Sequence, residues 1–400
     1  MNYRPPLSIL EKYANVLVNF ALNSGNGVKK GEVVRLVVSE SAKPLYLALR
    51  NQILKSGAHP LTFYLPDDTT RSFYELASQD QLKYFPKKYY QGLADNIDHS
   101  IAIISETDKH ELEGIDPAKI MLSQKSRKPF KDWLDAKENM GKFTWTLALW
   151  GTSAMAEEAN LTLEEYWGQI ITACFLDQPD PIAKWKEVFQ ETKNLLYKIN
   201  LLPIDKLHIK GIDVDLWITL GKKRKWLGGS GRNIPSFEIF TSPDWRGTNG
   251  WIKFNQPLYR YGNLITDVSL EFKDGKVVKG SASKNLEVLK QMIEVENADK
   301  IGEFSLTDKR MSKITKFMAE TLYDENISGP YGNTHIALGT AYDDTYSGNI
   351  KTLTKSQKVK LGFNNSVIHT DIISTTDRTV TTYLEDGSQK VIYTSGQFTL

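Results

Sequence analysis

Beyond residue 235 this 400-residue chain collects the residue types that bind divalent cations. Glu238 lies in Asn-Ile-Pro-Ser-Phe-Glu-Ile-Phe-Thr-Ser-Pro and Glu303 in Lys-Ile-Gly-Glu-Phe-Ser-Leu; His335 and Tyr342 share Asn-Thr-His-Ile-Ala-Leu-Gly-Thr-Ala-Tyr, and His369 and Asp371 share Asn-Asn-Ser-Val-Ile-His-Thr-Asp. Two imidazoles and three carboxylates are enough to hold a pair of divalent ions, which together activate a water and polarise a carbonyl. The expected chemistry is hydrolysis.

Each residue alone also has a plain structural reading. His369-Thr-Asp371 sits in a strand-like run, where a period of two puts both side chains on one face, but a hydrogen-bonded structural pair has the same spacing. His335, among small and apolar neighbours, matches a core histidine, and Tyr342 a packed aromatic. Glu238 and Glu303 are harder to explain that way, because an unpaired carboxylate in an apolar strand is costly to bury. A metal removes that cost.

Other catalytic signatures are missing or weak. There is no His-Glu-x-x-His, since His110-Glu111 lacks the second histidine, and no Gly-x-Ser-x-Gly elbow. Gly228-Gly-Ser-Gly231 lacks the Lys-Ser/Thr of a phosphate loop and reads as a tight turn ahead of Glu238. Lys222-Lys-Arg-Lys-Trp226 reads as a solvated hairpin tip. His59, His99, His110 and His208 fall outside the cluster and are expected at the surface or behind the ligands.

The elements that must position these groups change character along the chain. Helical spacing over 7–22 gives way to Val33–Val38, a helix over about 43–56, and strand-like runs at 61–65, 101–104 and 145–150, with further helical spacing over 162–176 and 181–199. Such alternation predicts an α/β fold beginning with a βαβ-type domain. From Leu207 the texture becomes short alternating strands, with Asp274-Gly275 and Asp386-Gly387 as hairpin signals and helices expected near 284–295 and 308–322. We therefore expect an N-terminal α/β domain over 1–205, supplying shape, association and substrate access. An α+β catalytic domain with a mixed or antiparallel sheet is expected over 206–400.

Composition narrows the partners. The chain is 40% hydrophobic and 24% charged, as folded soluble proteins are. Fifty Lys and Arg stand against 48 Asp and Glu, a net charge of +2, so no global field recruits nucleic acid or an anionic membrane, and small neutral or zwitterionic substrates fit better. Cys174 is the only cysteine; it permits no internal disulfide and, within an apolar run, reads as a buried inert thiol. No signal-type core or membrane-length apolar stretch is present, and the expected location is cytoplasmic.

The quoted segments resemble a known family over essentially the whole length: the aminopeptidase T, aminopeptidase S and PepS family of bacterial metallo-aminopeptidases. Asn233-x-Pro235-x-x-Glu238-Ile-Phe-Thr241-x-Pro243 is similar to its first ligand motif and Ile301-Gly-Glu303 to the second. His335-Ile-Ala-Leu-Gly339 with Tyr342 is similar to the third, and Asn365-Ser-x-x-His369-x-Asp371 to the last. Two departures stand out. Ile-Ile-Ser-Thr-Thr follows Asp371 where relatives commonly carry Phe-Met-Ile-Gly, and Asp343 and Asp344 follow the tyrosine; both bear on substrate preference.

The resemblance implies two divalent ions, zinc, cobalt or manganese, held by Glu238, Glu303, His335, His369 and Asp371. It also implies a homodimer that removes N-terminal residues from peptides with a free amino group, with Glu303 as proton shuttle. Spacing alone leaves open which carboxylate bridges the ions. Tyr342 is expected to donate a hydrogen bond to the developing oxyanion. Two alternatives differ in class: another dinuclear hydrolase, such as a carboxypeptidase or phosphoesterase, would need an arginine pair that the motifs lack. A catalytically inactive peptide-binding relative would have lost ligands, and none is missing.

Overall fold

Val33–Ser39 (β1) alternates half-buried and buried side chains and lies at the centre of a four-stranded sheet with His59–Leu65 (β2), His99–Ile104 (β3) and Thr144–Leu149 (β4). The order is β2-β1-β3-β4 and every pairing is parallel. Parallel neighbours cannot be joined by tight turns, and the connections carry helices at Lys43–Lys55, Lys87–Asn96 and Pro117–Asn139. His99 is 2% exposed, its ring nitrogens lying 2.8 Å from Thr144 Oγ1 and 2.9 Å from Glu32 Oε2. It is thus a structural tie at the start of β3, neither a surface residue nor a support for a metal ligand. Cys174 is fully buried.

This is a computed structural model describing residues 3–400, and the chain forms two compact units. The first runs to Phe189 and includes Ser230–Ser236 and Met318–Leu322; the second comprises Gln190–Gly229, Phe237–Phe317 and Tyr323–Leu400. The fold is therefore mixed α/β, with a parallel sheet in one unit and antiparallel sheets in the other.

In the second unit an eight-stranded sheet runs in the order 276–281, 269–273, 244–253, 214–219, 204–211, 378–384, 389–394, 397–398. Asp274 and Gly275 both have positive φ (50° and 81°), as a two-residue hairpin turn with the strands' own twist requires. A second, five-stranded sheet contains Leu227–Gly228 (β5), Glu238–Thr241 (β6), Ile301–Thr307 (β7), Asn333–Gly339 (β8) and His369–Ser374 (β9). Its order is β9-β8-β7-β6-β5, antiparallel throughout.

One face of this sheet, with Ile239, Phe304, Leu306, Ile336, Leu338 and Ile372, shares a hydrophobic core with Leu207, Ile209, Leu216, Ile218 and Val380 of the larger sheet. At roughly 1.5–3 kcal/mol per buried side chain, this packing makes the five-stranded sheet a rigid platform for its opposite face.

The segment 308–322 is not the helix its spacing suggested; only Thr321–Asp324 forms a helical turn. The Asp308 carboxylate accepts hydrogen bonds from the backbone of Arg310 and Phe398, both at 2.9 Å, and Ser312 Oγ accepts from Ile314 N at 3.2 Å. These side-chain bonds give the backbone an alternative to helix formation. No helix among the described residues is long and apolar enough to cross a membrane.

Candidate metal centre

Strand register places the five predicted ligands on one face of the five-stranded sheet. Glu303 on β7 and Asp371 on β9 both lie opposite Ala337 of β8; His335 lies opposite Ser305, His369 opposite Gly339, and Glu238 opposite Thr307. Residues paired across a sheet share a face. Because Ala337 and Gly339 are small, the longer side chains on either side converge above them. Glu303 reaches this face through a register shift between Ile301 and Glu303. A Cβ on the intervening Gly302 would stand 2.3 Å from Thr340 O, so a glycine is required at the bulge that aims Glu303.

The polar atoms meet closely. His335 Nε2 is 3.3 Å from Glu238 Oε2, 3.4 Å from Glu303 Oε1 and 3.9 Å from Asp371 Oδ1. His369 Nε2 is 3.3 Å from Glu303 Oε2 and 3.4 Å from Asp371 Oδ1. Glu303 therefore turns one oxygen to each imidazole, and Asp371 lies against both. Supporting bonds fix the orientations: Ser305 Oγ donates to Glu238 Oε2 at 3.1 Å, and His369 Nδ1 donates to Thr340 O at 2.9 Å, leaving Nε2 toward the carboxylates. Tyr342 packs with its ring centroid 5.0 Å from that of His369 and 5.5 Å from that of Phe240.

The structure adds a residue that the sequence reading missed. A carboxylate oxygen of Glu325 lies within 4.8 Å of ligand atoms of His335 and Asp371, in a group parallel to Glu238-Glu303-His335 and Glu303-His369-Asp371. Glu325 follows the Thr321–Asp324 turn and is 5% exposed. The usable signal was Asp324-Glu325-Asn326, an acidic run set between Leu322-Tyr323 and Ile327.

Crowding of acids shapes the proton equilibria. Burial, reinforced by the charges of Glu238 and Asp371, raises the Glu325 pKa well above the ordinary range. Burial and Glu303 raise that of Glu238. Burial resists a charged His335, but hydrogen bonds to Glu238 and Glu303 outweigh it and its pKa rises well above normal. For His369 burial is likewise outweighed, by Asp371 and Glu303. Glu303 and Asp371 are held below their usual values by the two histidines, in spite of burial. The cluster thus holds protons where a cation could replace them.

The donor set fits a divalent metal. It consists of carboxylate oxygens and imidazole nitrogens, it is buried or half-buried, and the Nδ1 of His335 has no hydrogen-bond partner, leaving Nε2 as that ring's only polar contact.

The basic run Lys222–Trp226 keeps Lys222 and Lys223 exposed in a turn, as expected, but Arg224 and Trp226 depart from a solvated tip. Trp226 is 2% exposed, and Arg224 donates from Nε to Ser242 O at 2.6 Å and from Nη2 to Leu361 O at 2.7 Å. These main-chain carbonyls, supplied by distant loops, hold the guanidinium against the protein.

Comparison with known proteins agrees with the geometry. Residues 8–398 match the family described as thermophilic metalloprotease M29. Aminopeptidase AmpS of Bacillus subtilis is 27% identical over 96% of this chain and 98% of its own length. Aminopeptidase T of Thermus thermophilus is 28% identical over 97% and 98%. The solved structure of wild-type AmpT from Thermus thermophilus superposes with a TM-score of 0.82 at 25% identity, covering 98% of this chain and 99% of that one. The protein whose sheet gathers these carboxylates and imidazoles accordingly belongs to the M29 family of metalloproteases.

Proposed function

We propose that the protein is an aminopeptidase that removes the first residue from peptides with a free amino terminus, using two divalent ions. The observation that carries this reading is the convergence of Glu238, Glu303, His335, His369 and Asp371 on one sheet face, with Glu303 turned to both imidazoles. Together with Glu325 the site offers four carboxylates, whose full ionisation two divalent cations and neutral histidines would balance. Zinc, cobalt and manganese all suit this oxygen and nitrogen donor set.

Bound there, the ions would supply Lewis acidity to the scissile carbonyl and lower the pKa of a water toward neutrality. The remaining work belongs to the chain. Glu303, ionised beside bound cations, accepts a proton from the attacking water and returns it to the departing amine. Tyr342 donates its phenolic proton in a hydrogen bond to the oxygen that becomes negative, since a neutral phenol is a poor ligand and a good donor. The substrate's ammonium group pairs with the acidic cluster, restricting cleavage to the first bond. A cytoplasmic homodimer is part of the same proposal, with residues 1–205 supplying association and substrate access and 206–400 the chemistry.

A pair of substrates tests it. N-acetylated peptides should resist cleavage, whereas C-terminally amidated ones should be cut normally, and a chelator should abolish activity until zinc, cobalt or manganese is returned. Carboxypeptidase chemistry would give the opposite substrate pattern, and full activity in metal-free protein would sink the proposal.

A further inference from the structure

A network of hydrogen bonds behind the candidate centre ties down the backbone of Tyr342, and Arg224 stands at its root. Tyr342 N donates to Ser242 Oγ at 2.8 Å, while Tyr342 O accepts from Thr345 Oγ1 at 2.7 Å and Thr345 N at 3.3 Å. Ser242 and Thr345 are both completely buried, so water cannot stand in for either. Each is anchored in turn by residues 223–225. Arg224 Nε donates to Ser242 O at 2.6 Å. Lys225 N donates to Thr345 O and Ser347 N to Lys223 O, both at 2.8 Å, flanking an antiparallel bridge between Arg224 and Tyr346.

The guanidinium fixes a third element as well. Its Nη2 donates to Leu361 O at 2.7 Å, its Nη1 to Lys222 O at 3.2 Å, and its carbon lies 3.5 Å from the centroid of the Phe363 ring. Nearby, Asn364 O accepts from Ala341 N at 2.9 Å, the residue preceding Tyr342. A planar fork of donors can serve several carbonyls at once, while an ammonium on a flexible stem cannot hold the same directions. Tyr342 N therefore ends on a segment that the Arg224 guanidinium holds, and Tyr342 O on one bonded to the main chain of Lys223 and Lys225 on either side of Arg224.

We propose that Arg224 is a positioning residue for the reaction: through Ser242 it sets where the Tyr342 hydroxyl stands relative to the developing oxyanion. The inference rests on the reading of Tyr342 as the oxyanion donor. Displacement of a reacting group by about 1 Å can cost about 10²-fold in rate, so a loosened Tyr342 backbone is felt chiefly in kcat.

The experiment is a double-mutant cycle on the full-length metal-loaded protein with Arg224→Met, Tyr342→Phe and their combination, and a parallel cycle with Ser242→Ala in place of Arg224→Met in case the first variant fails to fold. Arg224→Met should lower kcat by about 10- to 100-fold with KM and metal stoichiometry unchanged. In the Tyr342→Phe background the same change should cost no more than about threefold, because there is no donor left to misplace. Arg224→Lys should recover part of the loss. Amide hydrogen exchange should quicken at residues 342–347 in Arg224→Met while β7 and β8 keep their protection. An equal fractional loss in both backgrounds, or no loss from Arg224→Met, overturns the role of Arg224. A parental kcat in Tyr342→Phe alone overturns the donor reading on which it rests, so the two failures are told apart.

Discussion

Replacing Glu325 by glutamine keeps the shape of the side chain and removes one negative charge from beside His335 and Asp371. The ligand atoms of these three residues lie within 4.8 Å of one another. At a separation of that order and an effective dielectric of about 20, a carboxylate and a divalent cation attract by about 7 kcal/mol, which sets the scale of what the substitution can remove. Part of this is offset in the parent protein, because the Glu325 pKa is raised well above the ordinary range and its proton must leave before the carboxylate can meet a cation. Breaking a buried charge interaction by removing one partner costs about 3–5 kcal/mol, so affinity for one ion should fall by about 10²–10³-fold near pH 8.5.

Near pH 6 the parent side chain carries its proton more of the time, and the difference between the two proteins should shrink. The assay is competition for zinc against a chromophoric chelator at the two pH values, with melting temperatures to confirm folding. An affinity ratio that is the same at both pH values, or close to one at pH 8.5, would refute a role for Glu325 in neutralising the bound charge.

Tyr342→Phe should keep metal content and substrate binding nearly unchanged while kcat falls by about 10²–10³-fold, read from metal analysis and steady-state kinetics; lost metal would move Tyr342 from donor to ligand. Asp371→Ala should lower metal content and activity together, since Asp371 Oδ1 lies against both histidines; unchanged metal content would remove it from the ligand set. Proton linkage gives a further expectation for the metal-free protein. Folded His335 and His369 have raised pKa values, so their contribution is fully present below the unfolded value of about 6.5 and is lost as pH rises through the folded values. Raised Glu238 and Glu325 act in the same direction from about pH 4 upward, and the melting temperature of metal-free protein should fall from pH 6 to pH 9. Saturating zinc should flatten that slope, and a metal-free slope of the opposite sign would contradict the assignment.

Residue types, more than their arrangement, were legible in the sequence. Glu238 and Glu303 stood out because a carboxylate in an apolar strand is costly to bury without a partner, whereas His335, His369 and Asp371 each also fitted a plain structural reading and joined the set through their motifs; Val33–Val38 and the Asp274-Gly275 hairpin follow from patterning alone. That the candidate ligands share a face depends on pairing register, which no single strand encodes; for Glu303 it also depends on the bulge at Gly302. Glu325 escaped because it lies in irregular chain, where no periodicity assigns a face. The helix expected over 308–322 failed because Asp308 and Ser312 bond the backbone locally. Arg224 was misjudged by its company: four neighbouring cationic or aromatic residues suggest solvent, but the carbonyls that hold it come from Ser242 and Leu361, far away in sequence.

Because β6, β7, β8 and β9 contribute their side chains to one point yet are dispersed along the chain, an ion bound among them would act as a removable cross-link. Closing loops of this length is entropically expensive in the unfolded chain, and ligation would be possible only once all four strands are in register. Metal affinity and resistance to unfolding would then be one free energy seen from two sides. A cell short of metal would therefore contain a protein that is easier to open and digest as well as idle, so that its abundance, like its activity, would follow the supply of the ion.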